Sequence, residues 1–124
     1  MTDKPWENEP DRKEFMAHGL RCVIKRHPTM KHLCGYVEVP KGHRWETLDA
    51  LDIPADAHGG ITYSEESLPR EESEADNWWI GFDCSHAGDF MPGFVPEFPG
   101  TYRDIKYVER ECRELAKQIR EKGR

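Results

Sequence analysis

The chain has little of what a large hydrophobic core is made from. Leu, Ile, Val and Phe together supply 22 of its 124 residues, and its mean hydropathy is −0.88. A fraction that low borders on the composition of disordered chains. Four Trp and four Tyr oppose that reading, because each can bury a large area in a small core. The expectation is one domain over residues 1–124, with an aromatic-rich core under long solvated loops. No apolar run approaches the roughly 20 residues that a bilayer-spanning helix needs, so no membrane partner is expected. A clustered basic face is missing too. The net charge is −6, and Lys and Arg are scattered or interleaved with acids, so direct nucleic-acid binding is not expected. Finally, Cys22, Cys34, Cys84 and Cys112 form no C-x-x-C pair, which excludes a zinc-ribbon framework. With no signal-peptide pattern at the start, the thiols are expected to be reduced and the protein cytoplasmic.

What is present divides into two hairpins and a helix. Residues 1–9 are polar and expected to be flexible, and residues 10–18 read as a short helix between Pro10 and Gly19. Residues 20–26 and 33–39 alternate as strands around a turn at 27–32. A helical turn is expected over 45–51 and a loop over 53–57. Residues 61–64 and 78–84 make a second strand pair around an acidic loop at 65–76, expected to be solvated. Symmetric pairing sets Ile61 opposite Gly81 and His58 opposite Cys84. Trp78, Ile80, Phe82 and Cys84 then share the core face, and Trp79, Gly81 and Asp83 the other. Residues 90–100, rich in Phe, Pro and Gly, read as a packed loop. Ile105, Val108, Cys112, Leu115, Ala116 and Ile119 follow helical spacing, so a C-terminal helix is expected over 105–122. Thr101 with Asp104 suggests a capping box at its start, and Gly123 its end.

The chemistry concentrates where residues 78–84 run out. Asp83-Cys84-Ser85-His86-Ala87-Gly88-Asp89 gathers two carboxylates, a thiol, a hydroxyl and an imidazole. Antiparallel pairing brings His58-Gly59-Gly60 against it, so His58 should lie within about 8 Å of Asp83 or His86, on the scale of diagonal cross-strand neighbours. Three uses of the cluster are open. Asp83, His86 and Asp89 are ligand types for a divalent ion such as Zn, Mn or Fe, with Cys84 and His58 as additions. Alternatively, Cys84 is a thiol nucleophile, although its place on the core face favours a buried, inert state. In the third use, glycine-rich turns and aromatics cradle a small polar ligand. His58, Gly59, Gly60, Asp83, His86 and Asp89 form that site, bordered by Tyr63, Trp79 and the loop 90–98. Against all three stands a plainer role, in which the carboxylates hold loop N–H groups and the Trp pair is core.

His58-Gly59-Gly60-Ile61-Thr62-Tyr63-Ser64, the Trp78–Asp89 run and Thr101-Tyr102-Arg103-Asp104 followed by Tyr107-Val108 together resemble a family of small uncharacterised proteins of bacteriophages and prophages. In that family HGG-x-TY and WW-x-GFDC-x-HAGD motifs recur in this order, and the strand at 33–37 fits as well. The resemblance spans most of residues 32–110. It implies a phage-type accessory protein in the host cytoplasm, in host takeover or counter-defence, and brings no activity with it.

The expected fold is α+β: a small antiparallel sheet of two β-hairpins with an amphipathic C-terminal helix packed on it. The leading functional expectation is binding of a small polar ligand, nucleotide-like or phosphorylated. One alternative is a metal-dependent hydrolase using Asp83, His86 and Asp89. The other is a protein–protein inhibitor that docks on a host protein through loop 65–76 or the Phe-rich loop.

Overall fold

In the computed structural model, which describes residues 4–73, 77–94 and 99–122, five strands form one antiparallel sheet. They are β1 (Arg12–Ala17), β2 (Leu20–Arg26), β3 (Leu33–Val39), β4 (Tyr63–Glu65) and β5 (Trp78–Asp83), in the order β1-β2-β3-β5-β4. The helix α1 (Ile105–Lys122) packs on one face. This is the expected α+β architecture with one strand more. Residues 10–18 are not helical. Instead β1 pairs with β2 through a two-residue turn, His18 and Gly19, with φ of 51° and 76°. Two successive positive φ values are what a type I′ hairpin turn requires. Gly19 therefore turns a hairpin rather than ending a helix. Among the described residues, no helix is long and apolar enough to cross a membrane.

The face under α1 holds the main core. Cys22, Ile24, Leu33, Val37, Ile80, Phe82 and Cys84 of the sheet side meet Val108, Cys112, Leu115, Ala116 and Ile119 of the helix, all essentially sealed from solvent. Trp45, in the turns before a 3₁₀ segment at Ala50–Asp52, fills its margin at 2% exposure. Two glycines let aromatics cross the middle of the sheet. Gly35 pairs with Phe82 and Gly81 with Tyr36. A Cβ on Gly35 would sit 2.6 Å from Phe82 and 2.7 Å from the Cys112 sulfur, and one on Gly81 2.5 Å from the Tyr36 ring. Overpacking of this kind forces shifts in a closed core. Gly35→Ala is therefore expected to lower unfolding free energy in urea by about 1–3 kcal/mol. An unchanged midpoint would show that Phe82 and Cys112 can move aside freely.

The opposite face is not open. Residues 66–73 run back across it, and Leu68 closes a second cluster of Val23, Cys34, Tyr36 and Trp79, with Tyr63 at its edge. Glu71 ends this crossing in ion pairs with Arg12 and Lys25, which hold its carboxyl down at about 2. The described part of the acidic loop thus anchors on the sheet through Leu68 and Glu71, while Glu66, Arg70, Glu72 and Ser73 stay exposed as expected of a solvated loop; residues 74–76 lie outside the described residues. Trp79 is 2% exposed, whereas Trp78, on the helix side but near the β4 edge, is only partly buried and donates its indole N–H to Ser64.

The start of the chain is tied down as well. Trp6 packs on Phe90 and Tyr102, and Glu9 accepts the Ile105 N–H at 2.9 Å. Buried Arg26 bonds Asp11, the Tyr102 hydroxyl and the Lys31 carbonyl, each at 2.9 Å. Residues 4–9 are therefore part of the fold rather than a free tail. The helix cap is Asp104, whose carboxylate accepts the Tyr107 N–H at 2.9 Å, with Glu9 serving the preceding donor. Thr101 is used differently, in a parallel bridge to Asp89. Gly123, expected to end α1, lies outside the described residues.

Candidate functional site

β4 and β5 pair with Tyr63 opposite Gly81, two residues from the expected register. A shift of two preserves the faces, because side chains alternate with period 2. The entry to β4 and the exit of β5 are therefore neighbours, and His58 and His86 stand with ring centroids 6.1 Å apart. Two turns make the approach. After β5, the Asp89 N–H returns to the His86 carbonyl at 2.9 Å, and the bridge to Thr101 pulls Asp89 inward. Before β4, Gly59 has φ of +71°, and a Cβ there would stand 2.2 Å from the His86 ring. Only glycine lets that ring lie on the backbone. Gly60, at φ +88°, has open space around it and serves the turn alone.

Asp89 is the hub, its side chain 1% exposed. It accepts from His58 Nε2 at 2.7 and 2.9 Å, from Arg103 Nε at 2.9 Å and from the His86 N–H at 3.1 Å. Burial alone would raise its pKa, but the donors from His58, Arg103 and the backbone outweigh it and hold Asp89 below the usual value. The other nitrogen of His58, Nδ1, meets the Tyr107 hydroxyl at 2.7 Å. Arg103 also lies over the Tyr107 ring at 5.0 Å.

Asp83 and His86 form a second, more exposed pair. Thr62 donates to Asp83 at 2.6 Å, and Ser85 bonds its other oxygen. Burial opposes the charge, yet these hydroxyls and His86 keep Asp83 below the usual value. His86 Nε2 stands 3.4 Å from Asp83 without forming a hydrogen bond, and about a third of the ring is exposed. Nearby, His32 is buried against His27, and desolvation followed by the His27 charge lowers its pKa.

The structure thus brings His58, Gly59, Asp83, His86 and Asp89 together, with Gly60 in the supporting turn. Two expected members are elsewhere. Trp79 and Tyr63 belong to the cluster under Leu68, where Tyr63 packs edge-on to Tyr36 at 5.0 Å. Trp79 is sealed within that cluster and half-buried Tyr63 packs on its edge, so neither is among the residues gathered here. The expected metal triad does not assemble either. Asp89 is saturated by its three donors, and among the described residues no group of three or more His, Cys, Asp or Glu could hold a metal ion. Cys84 is 1% exposed, and desolvation with the nearby Asp89 charge pushes its thiol far up, so it is no thiolate nucleophile.

Sequence reading missed Arg103, Tyr107 and His32. The first two lie just after the bridge at Thr101, but nothing in their spacing links them to residues 58 and 89. His32 passes for a solvated turn residue until Gly93 N–H bonds the Met30 carbonyl and the 90–94 segment meets that turn. Of that Phe-rich segment, residues 95–98 lie outside the described residues.

A cavity of about 310 Å³ opens beside this cluster, lined by Ser85, His86, Ala87, Gly88, Asp89, Met91 and Pro99. Its walls are apolar at Ala87, Met91 and Pro99, with His86 as the polar side chain that has bonding capacity left. Compared with protein-family models, curated proteins and solved structures, the chain matches none.

Proposed function

We propose that this chain binds a small polar ligand, nucleotide-like or phosphorylated, in the cavity beside residues 85–89. The observation that carries this reading is the His86 ring in that wall. Gly59 and Asp83 fix its position, yet its buried Nε2 has no hydrogen-bond partner among the described residues. A volume near 300 Å³ with apolar walls and one or two fixed polar groups is the usual form of a small-molecule site. The resemblance to phage-encoded proteins supports a setting in host takeover or counter-defence, where such a protein would sequester or sense a host metabolite.

Thermal melts against nucleoside mono-, di- and triphosphates and phosphorylated sugars test the reading. A ligand present at a hundredfold excess over its Kd should add about 2.7 kcal/mol, a shift of several degrees. His86→Ala should melt as the parent does without ligand and lose the shift. If no compound raises the melting temperature, or His86→Ala responds like the parent, this cavity is not a ligand site.

A further inference from the structure

Asp89, His58 and Tyr107 lie in a line of hydrogen bonds that does more than join three segments. Asp89 receives the Nε2–H of His58 through both oxygens, at 2.7 and 2.9 Å. That leaves the Nδ1 lone pair directed at the Tyr107 hydroxyl, 2.7 Å away. The carboxylate selects the tautomer and stands ready to stabilise an imidazolium, the division of labour found wherever an acid–histidine pair activates a hydroxyl. Arg103 and Arg110, about one helical turn before and after Tyr107, place their guanidiniums 5.0 and 5.9 Å from its ring centre. Arg103 spends Nε on Asp89, and its two Nη groups have no hydrogen-bond partner among the described residues. Arg110, exposed, makes no ion pair among the described residues. A partly exposed phenol backed by a base and flanked by two cations, with the Glu111 carboxylate as the opposing charge, suits an electrophile carrying anionic oxygens.

We propose that Asp89, His58 and Tyr107 form a relay that makes the Tyr107 hydroxyl a nucleophile toward a phosphate ester, with Arg103 and Arg110 holding its anionic oxygens. In the step, the Tyr107 oxygen bonds to phosphorus while His58 Nδ1 takes the phenolic proton. The ester oxygen leaves with its electron pair, and His58 returns the proton to it or to solvent. The product is a phosphotyrosyl linkage at Tyr107. Burial keeps the Tyr107 proton in place at rest, and Asp89 stays ionised to meet the imidazolium. The relay shares Asp89 with the cavity wall, but the reacting groups are Tyr107 and His58, neither of which lines the cavity, and the His86 ring takes no part, so the two readings fail separately.

Bis(4-nitrophenyl) phosphate is the probe, because it is an anionic diester with a good leaving group. The parent should release a burst of one equivalent of 4-nitrophenolate and gain a 4-nitrophenyl phosphoryl group that peptide mass spectrometry places on Tyr107. Tyr107→Phe, which keeps the ring packing, should show no burst. His58→Gln should slow the burst at least about tenfold, the lower end of what a general base supplies. Arg110→Ala should raise the diester concentration needed for half-maximal rate without moving the melting temperature. If His58→Gln does not fold, judged by circular dichroism, the other two variants decide. No burst in the parent, a burst that survives Tyr107→Phe, or a label on another residue overturns the proposal.

Discussion

Trp79→Ala is expected to cost about 3–5 kcal/mol of unfolding free energy, the range for truncating a buried aromatic. The indole is 2% exposed, enclosed by Val23, Cys34, Tyr36 and Leu68, with the Arg21 guanidinium over its ring at 5.2 Å. Removing it hollows the second cluster and loosens the 66–73 crossing, so the Glu71 pairs with Arg12 and Lys25 should weaken too. Trp78→Ala should cost less, because that ring is partly in water and loses one bond to Ser64. Urea unfolding of the two variants, read by circular dichroism, measures the difference. Equal losses, or a larger one at Trp78, would mean that the second cluster carries little of the stability.

The same pair of residues shows what the sequence discloses and what it conceals. Period-2 alternation assigns Trp78 and Trp79 to opposite faces correctly, because that depends only on the strand itself. Which face is covered depends on a distant segment. Leu68 is one apolar residue in an acidic stretch, and nothing local says that it will cap Val23 and Trp79. The β2–β3 hairpin and α1 were legible for the opposite reason, since their apolar spacing is regular and local. β1 was not, because Arg12-Lys13-Glu14 obscures its alternation and Pro10 and Gly19 also fit helix ends. At the site, the 58–60 and 83–89 segments could be brought together by strand pairing alone. Arg103 and Tyr107 could not, since their place depends on how α1 crosses the sheet and on the bridge between Asp89 and Thr101.

Asp89→Ala is the other substitution expected to act strongly, at about 3–5 kcal/mol, because it removes one partner from a buried ion pair and strands the rest. His58 Nε2, Arg103 Nε and the His86 N–H would all lose their acceptor. These donors belong to three segments that all converge on Asp89, so the loop before β4, the loop after β5 and the start of α1 should loosen together. Asp83→Ala, whose carboxylate is more exposed and bonds two hydroxyls, should cost much less. pH adds a separate signature. Asp89 is held below the ordinary value of 3.8, so its contribution is fully present well above that pH and is lost as pH falls through the lower folded value. The parent's urea midpoint should therefore fall on acidification from pH 5 toward pH 3. Asp89→Ala should start lower and fall less steeply, with the remaining slope coming from Asp83, Glu71 and Glu14, which are also held down. A variant that loses stability equally at every pH would show that the carboxylate contributes by packing rather than by charge.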